Sequence, residues 1–113
     1  MSDRPLRFRG LKVRVDTTEV AEWDISGFSV TDEMLDRISN RLAAETHSGE
    51  DRVVGDVRVR LLEGMDVIFS LSREHALIVA TICGMRPPDP EKPTEQIIYA
   101  MQQGGSLRSF LGI

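Results

Sequence analysis

The sequence predicts an α+β domain built on an antiparallel sheet. Residues 57–71 alternate apolar and polar side chains over two successive segments, the period of half-buried strands. Ala76–Cys83 is apolar on both faces and so belongs at the centre of a sheet. Residues 31–45 and 94–103 instead repeat their apolar positions at helical spacing. With 113 residues there is enough chain for one compact domain over 1–113, and an apolar content of 41% with 28% charged residues is that of a folded chain.

Leu11-Lys12-Val13-Arg14-Val15 alternates apolar and basic residues and reads as a strand with one buried face. Asp16–Glu19 is turn-like. Val20–Val30 is open between two readings, because Val20, Trp23, Ile25, Phe28 and Val30 mix both periods. As a strand it pairs with the first strand through the short turn; as a helix it is a brief piece capped by Thr18 and broken at Ser26-Gly27.

The central helix, about 31–45, starts with Thr31 as cap and Asp32 and Glu33 at the positive end of the helix dipole. Its apolar stripe is Met34, Leu35, Ile38 and Leu42, with Arg37, Asn40 and Arg41 facing away. A three-strand meander follows, with a hairpin turn at Glu63-Gly64 and a second turn at Ser72–His75. Gly84–Pro93, rich in proline, is a loop, and a C-terminal helix capped by Thr94 runs to about Gln103. Residues 1–10 form a basic arm. Residues 106–113 form an apolar tail whose Leu107, Phe110, Leu111 and Ile113 are expected to dock on the body or on a partner.

Composition excludes several functions. The longest apolar run, Ala76–Cys83, is too short to span a bilayer, and the first residues lack the apolar stretch of a signal peptide, so a cytoplasmic protein is expected. A single cysteine, Cys83, makes neither an internal disulfide nor a cysteine-rich zinc site, and in an apolar strand it reads as a small core residue. His47 and His75 lack metal-ligand spacing, and no phosphate loop or nucleophile elbow occurs. No metal, cofactor or catalytic residue is therefore expected. A formal charge of −4 argues against a general nucleic-acid binder.

That charge is unevenly placed. Over residues 1–15, Arg4, Arg7, Arg9, Lys12 and Arg14 outnumber Asp3 to give +4. Asp16, Glu19, Glu22, Asp24, Asp32, Glu33 and Asp36 then give −7 over residues 16–36 without a single base. An arm with three arginines suits an anionic ligand, because guanidinium groups grip phosphate bidentately and stack on base planes. Glu22 and Asp24 would share a face if their segment is a strand, where they could hold a proton or a hard cation; an exposed acidic face is the commoner use of such a pair.

The run Arg7–Val15, the short turn and Val20–Val30 together resemble the start of a PilZ domain. That resemblance implies a sheet curled into a small barrel and a regulatory module, not an enzyme, that binds cyclic di-GMP or, with a degenerate site, a protein partner. It nominates Arg4, Arg7 and Arg9 for the phosphates and Asp24, Ser26 and Gly27 for a guanine, although Ser29 stands where the motif has glycine. A second resemblance spans more of the chain. Thr18–Trp23, Ile38–Leu42, Val57–Arg60 and Val67–Leu71 are similar to the first helix, second helix and meander of RelE/HigB-like toxins. Those folds run strand, two helices, three-strand meander, C-terminal helix, and cleave ribosome-bound messenger RNA; here Arg58, Arg60, Arg73 and Arg86 would serve. A small partner-binding protein is the third possibility. A strand at Val20–Ile25 favours the barrel, and a helix there favours the toxin plan.

Overall fold

The computed structural model describes residues 12–103; the basic arm with Arg4, Arg7 and Arg9, and the tail with Leu107, Phe110, Leu111 and Ile113, lie outside the described residues. The elements in chain order are β1 (Lys12–Thr17), α1 (Glu19–Gly27), α2 (Asp32–Ala44), β2 (Arg52–Val54), β3 (Val57–Leu62), β4 (Met65–Glu74), β5 (Leu77–Arg86) and α3 (Thr94–Gln103).

Five strands form one sheet in the order β1-β5-β4-β3-β2. The expectation of a wholly antiparallel sheet is corrected at β1, which runs parallel to β5 with Lys12 opposite Leu77 and Thr17 opposite Ile82. Two helices follow β1, so no hairpin returns to it. The last strand of the meander reaches it across the sheet instead. All other pairings are antiparallel. Among the described residues the sheet is open, with β1 and β2 at its edges, and it does not close into a barrel.

The undecided segment Val20–Ile25 is helical, and its ends explain why. The Thr18 side chain accepts the Ala21 N–H at 3.1 Å, and Glu19 and Glu22 occupy the first turn, where the helix dipole favours acids. At the other end Val30 N–H reaches the Ile25 carbonyl at 2.9 Å and Ser29 N–H reaches that of Ser26 at 3.3 Å. This is a Schellman motif, which requires a left-handed residue at its centre. Ser29 takes that conformation, with φ of 57°, rather than the neighbouring Gly27. Val30 and Ile25 then pack together in the core beneath.

α2 is the expected central helix, with Thr31 accepting the Met34 N–H at 3.2 Å. Ile38 and Leu42 are fully buried in its stripe, and Met34 and Leu35 pack beside them. Glu63 and Gly64, both at positive φ, make the β3–β4 hairpin. The second turn lies at His75-Ala76, later than the sequence suggested, because β4 continues to Glu74. The three-residue β2 adds a fourth strand to the meander, and it is too short to show a period.

The sheet separates two apolar layers. Under α1 and α2 lie Val67, Phe69, Ile82 and Met85 with Ala21, Ile38 and Leu42. On the opposite face α3 sets Ile98 against Val59 and Ile68. Covered on both sides, Met65–Phe69 and Ile78–Ala80 are buried at every position, and β5 lies inside the sheet, as its apolar run predicts.

Ser29→Gly is expected to stabilise the fold by about 0.5–1 kcal/mol. Left-handed backbone costs an L-residue roughly 1–2 kcal/mol, part of which glycine gives back as unfolded-chain freedom. Urea denaturation measures the change, and an unshifted or lowered midpoint would show that Ser29 carries no strain.

Candidate functional site

Two regions collect the polar chemistry of the described residues: an ionic network around the meander, and the outer surface of the α1–α2 hairpin.

The network begins with adjacent residues in the loop before and at the start of β2. The Asp51 carboxylate, 0% exposed, faces the α2 side of the sheet and pairs with Arg60 and with Arg58, at 2.8 and 3.0 Å. It also accepts the Ser48 N–H at 3.3 Å. Arg60 donates to the Glu45 carbonyl at 2.5 Å and the Thr46 carbonyl at 3.3 Å, where α2 ends, and lies 5.1 Å from the Phe69 ring centroid. A cation placed there satisfies the carbonyls of the C-cap Glu45 and of Thr46 beyond it and complements the helix dipole. Burial alone would raise the Asp51 carboxyl, but the hydrogen bonds from Arg60 and Arg58 outweigh it and hold the group below the usual carboxylate range.

Arg52, one residue on, faces the opposite side. It pairs with Asp66 at 2.7 Å and with Glu95 at 3.0 Å. Asp66 is buried, with its side chain 3% exposed, and accepts a further bond at 2.8 Å from the Thr94 hydroxyl. Thr94 was expected to cap α3; it is instead the first helical residue, fully buried, and its hydroxyl ties the helix to β4.

Asp24, Ser26 and Gly27, nominated as ligand contacts, lie on α1 and separate in space. Two residues apart means one shared face on a strand but about 200° on a helix. Asp24 turns inward to a β-bulge, where β4 passes from Ile68↔Gly84 to Phe69↔Ile82 and skips Cys83. There the Asp24 carboxylate accepts the Met85 N–H at 3.0 Å. Gly84 permits this approach, since a Cβ at that position would stand 3.1 Å from Asp24 Oδ2. Burial raises the Asp24 carboxyl above its usual range, against the Met85 hydrogen bond and the charge of Arg86. Ser26 and Gly27 are exposed.

Ser26 lines a notch between β1, α1 and α2. Ile25, Val30 and Leu35 give the notch its apolar lining, and Glu22, Ser26 and Ser29 its polar part. Glu22 accepts a hydrogen bond from the Thr17 hydroxyl at 3.1 Å. Glu22 and Asp24, a possible carboxylate pair on a strand, fall on different sides of α1, one at the notch and the other at the bulge. Trp23, 53% exposed, stands on α1 between Glu22 and Asp24 in sequence, and Phe28, 46% exposed, is the C-cap of the same helix. Cys83 is half-buried at the bulge, where burial raises its thiol pKa. Among the described residues no group of three or more His, Cys, Asp or Glu is placed to hold a metal ion, and no helix is long and apolar enough to cross a membrane. Sequence reasoning missed Asp51, Arg52, Asp66 and Thr94. The available signal was Arg58-x-Arg60, two cations on one face of a strand, which need counterions once that face is covered.

Asp51→Asn should destabilise the fold by about 3 kcal/mol, since it leaves two arginines without their carboxylate. Because the folded-state pKa of Asp51 is lowered, its contribution is present above the unfolded value of about 4 and is lost as pH falls through the folded value. The variant should therefore show the shallower acid limb in thermal melts, and equal limbs would refute the pairing. Asp24 has the opposite sign. Asp24→Asn keeps an acceptor for Met85 N–H and removes the burial penalty, so it should gain stability relative to the parent at pH 7, a gain that disappears in acid; a loss at pH 7 would show that the charge itself is needed. No family model, no curated protein and no solved structure significantly matches this sequence.

Proposed function

We propose that the protein is a protein-binding module that carries no ribonuclease site, on a plan related to that of RelE/HigB-like toxins. Support for the plan is the order of elements, a strand, two helices, the meander and a C-terminal helix, with α1 at the segment that distinguishes it from the barrel alternative. The observation that carries the functional part is the state of the arginines. A site that binds and cleaves RNA needs cations free to meet phosphates. Arg58 and Arg60 are paired with Asp51, and Arg52 with Asp66 and Glu95, so three bases meet three acids.

The other two candidate cations lie apart from each other, although Arg86 is the cross-strand neighbour of Asp66. Arg73 is opposite Ile78 near one end of β5, where it donates to the His75 carbonyl, while Arg86 is at the other end of β5 beside Asp24. At about 3.3 Å per residue the two positions are roughly 25 Å apart. The cyclic di-GMP expectation rests on Arg4, Arg7 and Arg9, outside the described residues, and on Asp24, whose carboxylate holds Met85 N–H.

Expression in a bacterial host, combined with primer extension on a message translated by purified ribosomes, tests this reading. Neither growth arrest nor new message ends is expected. Cleavage that is lost in Arg73→Ala or Arg86→Ala would overturn it.

A further inference from the structure

We propose that the α1–α2 hairpin binds a basic, amphipathic segment of a partner protein, with an apolar side chain of that segment in the notch and its cations on the surrounding acids. The inference rests on the protein-binding reading and names its partner chemistry.

Three independent features of the α1–α2 hairpin lead to it. The first is the notch, whose lining of Ile25, Val30 and Leu35 offers an apolar surface with Glu22 beside it. The second is a pair of aromatic side chains, Trp23 on α1 and Phe28 at its C-cap. Trp23 and Phe28 remain about half exposed although the core beneath them is complete, and large exposed aromatics are typical anchors of protein interfaces.

The third is charge. Glu19, Glu22, Asp32, Glu33 and Asp36 are all exposed on the hairpin, and none makes an ion pair with another described residue. The other two acids of the segment are engaged, Asp16 with Arg14 and Asp24 with Met85 N–H. Arg37, the nearest base on α2, pairs with Glu63 at 2.8 Å.

The combination selects the occupant. Nucleic acid and anionic membrane are repelled by the acids. A second copy meeting the same face isologously would bring like charges together. A purely cationic ligand would leave the aromatics and the notch without a role. A helix or extended segment that carries Lys or Arg on one side and Leu on the other meets all three features.

Trp23 is the only tryptophan in the chain, so its emission reports on this surface directly. The full-length protein would be titrated with a synthetic amphipathic Lys/Leu peptide and, separately, with a Lys/Ser peptide of the same length and charge. Saturable, salt-sensitive change in Trp23 emission is expected with the Lys/Leu peptide, at least tenfold weaker with Lys/Ser. Glu22→Lys and Ser26→Arg should each weaken binding at least tenfold while circular dichroism stays unchanged, and Glu50→Lys, away from the hairpin, should bind as the parent does. No saturable binding, equal affinity for both peptides, or indifference to both hairpin variants would overturn the proposal. Message cleavage in the ribosome assay would defeat the protein-binding reading itself, whereas a silent titration without cleavage removes only this surface.

Discussion

The structure depends on a buried carboxylate. Asp51 lies in an irregular loop, yet it joins β3 to the segment that follows α2, because Arg60 reaches both Asp51 and the carbonyls of Glu45 and Thr46 just past the helix. Arg52, the next residue, does the same on the other side of the sheet, linking β2 to Asp66 of β4 and to Glu95 of α3. Two neighbouring residues thus fasten opposite layers to the meander. Buried ion pairs of this kind contribute modestly to net stability, since desolvation offsets much of the attraction, but removing one partner is costly. Their effect here is on arrangement: each fixes the end of a helix against a strand.

This arrangement also partitions charge. Arg52, Arg58 and Arg60 of the sheet are neutralised at short range by acids in the adjoining loop, in β4 and in α3. Apart from Arg14 at Asp16, no ion pair joins the acids of residues 16–36 to another described residue, and the helical hairpin displays most of them together with Trp23 and Phe28. The formal charge of −4 is an average over a balanced network and an acidic face. A protein organised in this way is better suited to meeting a basic polypeptide than an RNA backbone.

Much of the architecture was legible in the sequence, for identifiable reasons. α2 and the strands from Val57 to Leu71 carry strong periods, Ala76–Cys83 is an unbroken apolar run, and α3 has an apolar side bounded by Pro93 and Gly104. α1 was not decidable from periodicity, because Trp23 and Phe28 are apolar residues that face outward. Its helicity is set at the ends, by Thr18 and by a left-handed Ser29, and a serine in that role gives no warning in a sequence. The parallel place of β1 was hidden because its partner is the last strand. The spacing of the nominated contacts depends on that undecided segment: as a strand it would put Asp24 beside Ser26, whereas the helix sends one to the β5 bulge and the other to the notch. Arg58 and Arg60 were visible as a pair, but their counterion was not, since Asp51 sits in a loop without periodicity.

The most direct measurement is a double-mutant cycle on Asp51 and Arg60, with Asp51→Leu, Arg60→Met and the double variant compared by chemical denaturation. If the buried pair organises the meander, the double variant is more stable than Asp51→Leu and the coupling is about 2 kcal/mol or more, because neither member of the Asp51–Arg60 pair is left alone, while Arg58 loses its partner equally in Asp51→Leu and in the double variant. Additive losses, with the double variant the least stable of the three, would contradict the account.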